Sequence, residues 1–167
     1  MKNEIQNLIL NAIDLSVSKK LKTVAAGHIL KDRTITLSSK RVVKFSDMTK
    51  HGPLLITFVR GTWCPFCRLH MQKLRDWVSK LESKQSTIIV ISSETPEQIN
   101  SWLENNPVPY MFGSDPNFEL ADEFGVRLGS KSFFQAATFV IDTDLSVLLA
   151  YSGKRTNLMY KLVEEKL

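Results

Sequence analysis

The chain has 167 residues, 43% of them hydrophobic and 23% charged, with a formal net charge of +5. That length and apolar content suit one domain with its own core, and two cysteines are too few for a disulfide-stapled secreted scaffold. The lysines and arginines are scattered rather than interleaved with aromatic residues, so nucleic acid is not an expected partner. No apolar run approaches a membrane span. The start, Met1-Lys2-Asn3-Glu4-Ile5, lacks the basic, apolar and small-residue succession of a secretory signal, so a soluble, cytoplasmic protein is expected.

In chain order, Ile5, Leu8, Ile9, Ala12 and Ile13 recur at helical spacing and predict an amphipathic helix that ends near Lys19-Lys20-Leu21-Lys22. We read residues 1–22 as an N-terminal helical extension and residues 23–167 as the domain proper. Such a helix fits packing against the domain, a homodimer contact or a membrane-surface contact. Packing is the expectation, because its polar face carries Asn, Gln and Glu rather than a basic stripe. Strands are predicted at Thr34 to Leu37 and Arg41 to Phe45, before a turn at Ser46-Asp47. The run Leu54-Leu55-Ile56-Thr57-Phe58-Val59 is continuous, β-rich and bounded by Gly52-Pro53 and Gly61, as in a strand buried on both faces.

After Cys67 the period changes to helical, with Met71, Leu74, Val78 and Leu81 on one face. Thr87 to Ile91 reads as another buried strand. Thr95-Pro96-Glu97-Gln98 carries a cap, a proline at the first helical position and Gln three residues after the cap, and so opens a helix. Asp115-Pro116 starts a shorter helix with Leu120, Ala121 and Phe124, stopped by Gly125. Ala137 to Ile141 and Val147 to Tyr151 form a hairpin about Asp142-Thr143-Asp144, and a helix from about Thr156 to Glu165 closes the chain. This order predicts an α/β domain, a central mixed sheet covered by helices on both faces.

The segment Arg60-Gly61-Thr62-Trp63-Cys64-Pro65-Phe66-Cys67 holds both cysteines of the chain at a strand-to-helix junction. Unpaired amide groups and the positive end of the helix dipole favour a thiolate there, lowering a thiol pKa from its usual value of about 8.5. Pro65 suits the first helical position, Arg60, Arg68 and His70 add charge or donors nearby, and Trp63 flanks the thiols. His70, three residues beyond Cys67, is read either as a group tuning a thiolate or as an exposed helix residue. Zinc would need a second ligand pair, and the chain adds only His28, His51 and His70. Arg68 directly after the second cysteine excludes covalent haem attachment. No Gly-rich phosphate loop is present, and no cofactor is expected. Redox chemistry between Cys64 and Cys67 is the reading the motif and its placement favour.

Phe58-Val59-Arg60-Gly61-Thr62-Trp63-Cys64-Pro65-Phe66-Cys67 resembles the active-site segment of the alkyl hydroperoxide reductase and thiol-specific antioxidant family, closest to its peroxiredoxin-like branch. Ser114-Asp115-Pro116, Phe124-Gly125-Val126 and Thr138-Phe139-Val140-Ile141-Asp142 are similar to later segments of that family. The resemblance runs from about Gly27 to Tyr151. It implies a thioredoxin-like fold, a hydroperoxide or protein disulfide as oxidant, and a thioredoxin- or glutaredoxin-like reductant.

It also implies two assignments. Laid on the peroxiredoxin pattern, Cys67 takes the peroxidatic position, with Cys64 in place of a threonine and Arg60 in place of a proline. Laid on the thioredoxin pattern, Cys64 is the nucleophile and Cys67 the resolving thiol. Thr62, Trp63, Pro65, Phe66, Arg68 and His70 are supporting positions in both. Ala136 stands where peroxiredoxins carry an arginine and thioredoxins a cis-proline, so Arg60, Arg68 or Arg127 would have to supply the missing charge. Alternatives are a disulfide reductase with little peroxidase activity, or a redox sensor without catalysis whose partner surface involves the N-terminal helix.

Overall fold

The computed structural model describes residues 22–128 and 133–167, and the predicted N-terminal helix lies outside the described residues. The strands are β1 (Thr34–Leu37), β2 (Val42–Lys44), β3 (Leu54–Phe58), β4 (Thr87–Ser92), β5 (Met111–Ser114), β6 (Ala137–Ile141) and β7 (Val147–Ser152). The helices are α1 (Phe45–Met48), α2 (Pro65–Glu82), α3 (Pro96–Leu103), α4 (Glu119–Phe124) and α5 (Asn157–Lys166). The strands form one sheet in the order β2-β1-β5-β4-β3-β6-β7. β3 runs parallel to β4 and antiparallel to β6, so every residue of Leu54–Phe58 is buried. This is why the strand reads as an unbroken apolar run rather than an alternating one.

Successive residues of the inner strands serve opposite faces of the sheet. Leu54, Ile56 and Phe58 meet Phe124, Phe134 and Phe139 on the face that α1 and α4 cover. Leu55 and Val90 meet Met71, Leu74 and Trp77 of α2 and Met159 and Val163 of α5 on the other. The mixed sheet covered on both faces is therefore as the sequence predicts.

Three local details differ from the reading above. Phe45 and Met48 turn inward, which makes Phe45–Met48 a short helix instead of a strand end and turn. Asp115 does not begin α4; its carboxylate accepts from Leu120 N at 3.3 Å and Ala121 N at 2.9 Å, and the helix starts at Glu119. β5 escapes the sequence pattern because it is four residues long and contains Gly113. A β-carbon at Gly113 would collide with Ile35 Cδ1, so the glycine lets β1 and β5 pack.

Candidate active site

The register of the sheet decides what meets the thiols. Phe58, the last residue of β3, lies beside Ile91 of β4 and Ala137 of β6, and Ala137 pairs with Ser152 of β7. The segments leaving β3, β4 and β7 and the segment entering β6 therefore converge at one end of the sheet. The segment leaving β3 carries the two cysteines to the start of α2, where Pro65 is the first helical residue as predicted. Cys64 is the capping residue: its carbonyl accepts from Arg68 N at 3.0 Å. Its Sγ lies over the Phe66 and Cys67 amide groups, which favour its anion without reaching the geometry of a cap hydrogen bond.

Both thiols are reduced and buried, Cys64 at 0% and Cys67 at 2% exposure. The two thiols titrate together, so the first proton leaves easily and the second is held. The neighbouring Cys67 thiol, with the two helix amides and the Arg60 charge, outweighs burial and lowers the Cys64 pKa to about 6. The adjacent Cys64 sulfur, then burial, pushes Cys67 well above the ordinary thiol value, opposed by the Arg155 charge.

Cys67 alone of the pair lines a cavity of about 240 Å³. Phe66, Leu69 and Ala136 form its apolar wall, and Arg60, Lys73, Lys154 and Arg155 face it with positive charge. His70 and Tyr160 also reach this wall, but His70 is a buried group and not the exposed helix residue of the sequence reading. Its Nε2 is 2.9 Å from Thr57 Oγ1 and its Nδ1 2.7 Å from the Tyr160 hydroxyl. Burial, with the nearby Arg155 and Lys73 charges, holds its pKa well below the usual imidazole range.

The remaining predicted residues brace the loop. Thr62 donates from N and from Oγ1 to the Glu94 carboxylate, both at 2.8 Å, and Arg68 Nε donates to Thr62 O at 2.6 Å. Trp63 is 45% exposed and meets Phe133 edge to face at 6.3 Å. Phe133 thus stays at the surface against Trp63, while Phe134 is fully buried in the core. A β-carbon at Gly61 would collide with the Trp63 indole, so Gly61 permits the fold-over of that side chain. Arg127 is engaged elsewhere, 2.9 Å from Asp122 Oδ2 and over the Phe118 ring.

Two residues were not singled out by sequence reasoning. Glu94 leaves the end of β4, and Arg155 follows β7, with Nη2 at 2.6 Å from Phe58 O and 3.0 Å from Thr57 Oγ1. Neither belongs to a motif; only the strand register brings them to the thiols. Among the described residues no three His, Cys, Asp or Glu side chains are grouped to hold a metal ion, and no described helix is long and apolar enough to cross a membrane.

A buried dithiol at the start of a helix, at the end of a central strand of a mixed sheet, defines a thiol oxidoreductase on a thioredoxin-like fold. The model of the AhpC/TSA family matches residues 26–149, and the chain belongs to that family. Among curated proteins it is similar to Haemophilus influenzae bcp, a peroxiredoxin by name, with 28% identity over 113 residues, covering 68% of this chain and 72% of that one. The crystal structure of peroxidoxin BcpB from Mycobacterium tuberculosis superposes with a TM-score of 0.78 at 22% identity, covering 86% of this chain and 94% of that one. The bacterioferritin comigratory protein of Xanthomonas campestris, whose structure was solved to explain its alkyl peroxide reduction, gives 0.73 at 13% identity, covering 86% and 100%. The protein is thus an oxidoreductase of the peroxiredoxin type.

Proposed function

We propose that this chain reduces hydroperoxides, with Cys67 as the attacking sulfur and Cys64 as the resolving one. The observation that carries the reading is access: Cys67 opens onto the charged cavity, whereas Cys64 is fully covered and does not line it. The pair holds one proton, which rests on Cys67, so attack by Cys67 follows transfer of that proton to Cys64.

With the proton on Cys64, the Cys67 thiolate attacks the terminal peroxide oxygen. The O–O bond breaks, Cys67 becomes a sulfenic acid, and the departing alkoxide takes the Cys64 proton to leave as an alcohol. The Cys64 thiolate then attacks the Cys67 sulfur, and hydroxide leaves with a proton from solvent as water, giving the Cys64–Cys67 disulfide. A dithiol of thioredoxin or glutaredoxin type attacks that disulfide and restores the pair, taking up the oxidation. The need for a cellular dithiol supports a cytoplasmic setting. Cys64 thereby stands in for a hydroxyl donor beside the attacking sulfur, as its place in the peroxiredoxin pattern suggests.

A second reading has one observation in its favour. Cys64 carries the more acidic thiol, at about 6, as expected of the nucleophile in a disulfide reductase. Stopped-flow oxidation of the reduced protein by hydrogen peroxide and by an organic hydroperoxide, followed through Trp63 fluorescence, separates the two. Oxidation persists in Cys64→Ser, stopping at the sulfenic acid, and vanishes in Cys67→Ser. Peroxide reactivity no greater than that of a free thiol, with protein-disulfide exchange that requires Cys64, would establish the reductase instead.

A further inference from the structure

We infer that the reductant attacks the oxidised pair at Cys67 and releases Cys64, docking on the apolar and cationic rim of the Cys67 cavity. The inference rests on the dithiol-disulfide cycle above. It gives Cys67 both encounters, first with the oxidant and then with the reductant. Exchange runs through a mixed disulfide on whichever sulfur the incoming thiolate can reach.

The first turn of α2 has two unlike sides. Arg68, four residues beyond Cys64 and so on the same side of the helix, turns back to donate from Nε to Thr62 O at 2.6 Å. Thr62 is held in turn by the Glu94 carboxylate, through N and Oγ1, both at 2.8 Å. The loop is thereby fastened on the side of Cys64, which has no exposed surface. On the other side Cys67 borders the cavity of about 240 Å³ with Leu69, Lys73 and Ala136. An incoming thiolate reaches Cys67 with all three hydrogen bonds intact, whereas attack on Cys64 requires the loop to open.

The exchange balances. The reductant's thiolate attacks Cys67 Sγ, the bond between Cys64 and Cys67 breaks, and Cys64 departs as a thiolate. A thiol of low pKa leaves faster, and that of Cys64 is about 6. The reductant's second thiolate then attacks its own bonded sulfur and frees Cys67, so the oxidation ends as a disulfide on the partner. Of the reductant's two protons, one goes to Cys67 and the other to solvent.

The rim fits a protein partner. Of the six large apolar side chains exposed among the described residues, Trp63, Leu69, Phe133 and Leu158 belong to the segments around this one opening. Leu69 is part of the cavity wall, Leu158 follows the lining residue Asn157, and Phe133 packs against Trp63 beside Cys64. Exposed apolar side chains gathered in one place mark a contact surface. Lys73 and Lys154 stand exposed among them, and no described acidic residue lines the cavity. The matching partner is a folded dithiol protein whose reactive cysteine is surrounded by apolar and acidic side chains.

Two measurements test it. The disulfide form, made with diamide so that the peroxidase reading is not needed, is mixed with glutathione and quenched in N-ethylmaleimide. Fragment masses of the tryptic peptide 61–68 then locate the two labels on either side of Pro65-Phe66. Glutathione is found on Cys67 and maleimide on Cys64 in most molecules; glutathione on Cys64 in half of them or more would overturn the assignment of the attacked sulfur. In the second, a thioredoxin and dithiothreitol each reduce the same disulfide, in the parent and in the double variant Phe133→Ser, Leu158→Ser. The ratio of the thioredoxin rate to the dithiothreitol rate falls about tenfold in the variant, and in the parent it falls as salt rises from about 0.05 to 0.5 M. A ratio unchanged within about twofold by substitution and by salt would overturn the docking surface. The same ratio with a sedimentation shift from dimer to monomer in the variant would give the rim to a second copy of the chain instead. No reduction by thioredoxin or by a glutaredoxin would sink the dithiol reading of the reductant and the docking surface with it, while the glutathione measurement still decides the attacked sulfur.

Discussion

Both ring nitrogens of His70 are engaged, Nε2 with Thr57 and Nδ1 with Tyr160, and the ring is buried, so the imidazole stays neutral where an exposed one would titrate. The unfolded chain takes up a proton near the ordinary value of 6.5, while the folded one refuses it until well below. Stability from this group is therefore full above pH 6.5 and falls as the pH drops toward the folded-state pKa. His70→Ala leaves Thr57 and Tyr160 without this partner and opens a void, at a cost of roughly 2 to 4 kcal/mol at neutral pH. It also removes the His70 share of the acid sensitivity, so urea unfolding at pH 5 and pH 7 should differ less in the variant than in the parent. Equal acid sensitivity in both would mean that other groups carry it. His70 was legible in sequence as a residue one turn from Cys67, but its burial was not. The face of α2 that holds Met71 and Leu74 also takes in position 70 once β3 and α5 pack against it.

The same limit appears among elements. Continuous apolar runs made β3, bounded by Gly52-Pro53 and Gly61, and β4 readable, and the Thr95–Gln98 capping box is formed as predicted. β5 was missed because a four-residue strand with a central glycine carries no periodic signal, and the Cys segment was found through a local motif. Its supports were not, because Glu94 and Arg155 are joined to it only by strand register. Glu94 ties two loops together: its carboxylate takes the Thr62 amide and hydroxyl from one side and the Ser92 hydroxyl, at 2.8 Å, from the other. Glu94→Ala orphans three donors in a part-buried place and costs about 1 to 3 kcal/mol. Because the loop before α2 loses its tether, Cys67 oxidation should also slow by about tenfold or more through misplacement of the thiol. Stopped-flow rates beside a urea midpoint decide this; a destabilised variant that oxidises at the parental rate would make Glu94 a structural brace alone.

For the whole molecule, the thiol pair links proton uptake to folding and to redox state. Between about pH 6 and 9.0 the reduced folded pair holds one proton, whereas the unfolded thiols hold two. The depressed Cys64 value thus gives stability that is present above 9.0 and lost as pH falls through about 6. Cys67, raised above the ordinary 9.0, acts in the opposite sense, and its contribution declines as pH rises past that value. The difference in unfolding free energy between reduced and oxidised protein therefore rises with pH up to about 9, because the disulfide has no thiol to titrate and every other group cancels. The same proton count governs the electrons. Reduction of the disulfide takes up one proton per two electrons in this window, so the midpoint potential should fall by about 30 mV per pH unit, steepening to about 59 mV below pH 6 where both sulfurs are protonated. Equilibration against a dithiol buffer of known potential from pH 5 to 8 measures that slope. A slope of about 59 mV throughout would mean that the two sulfurs titrate as ordinary thiols. The shared proton would then be lost as the device that readies Cys67 for attack and Cys64 for resolution.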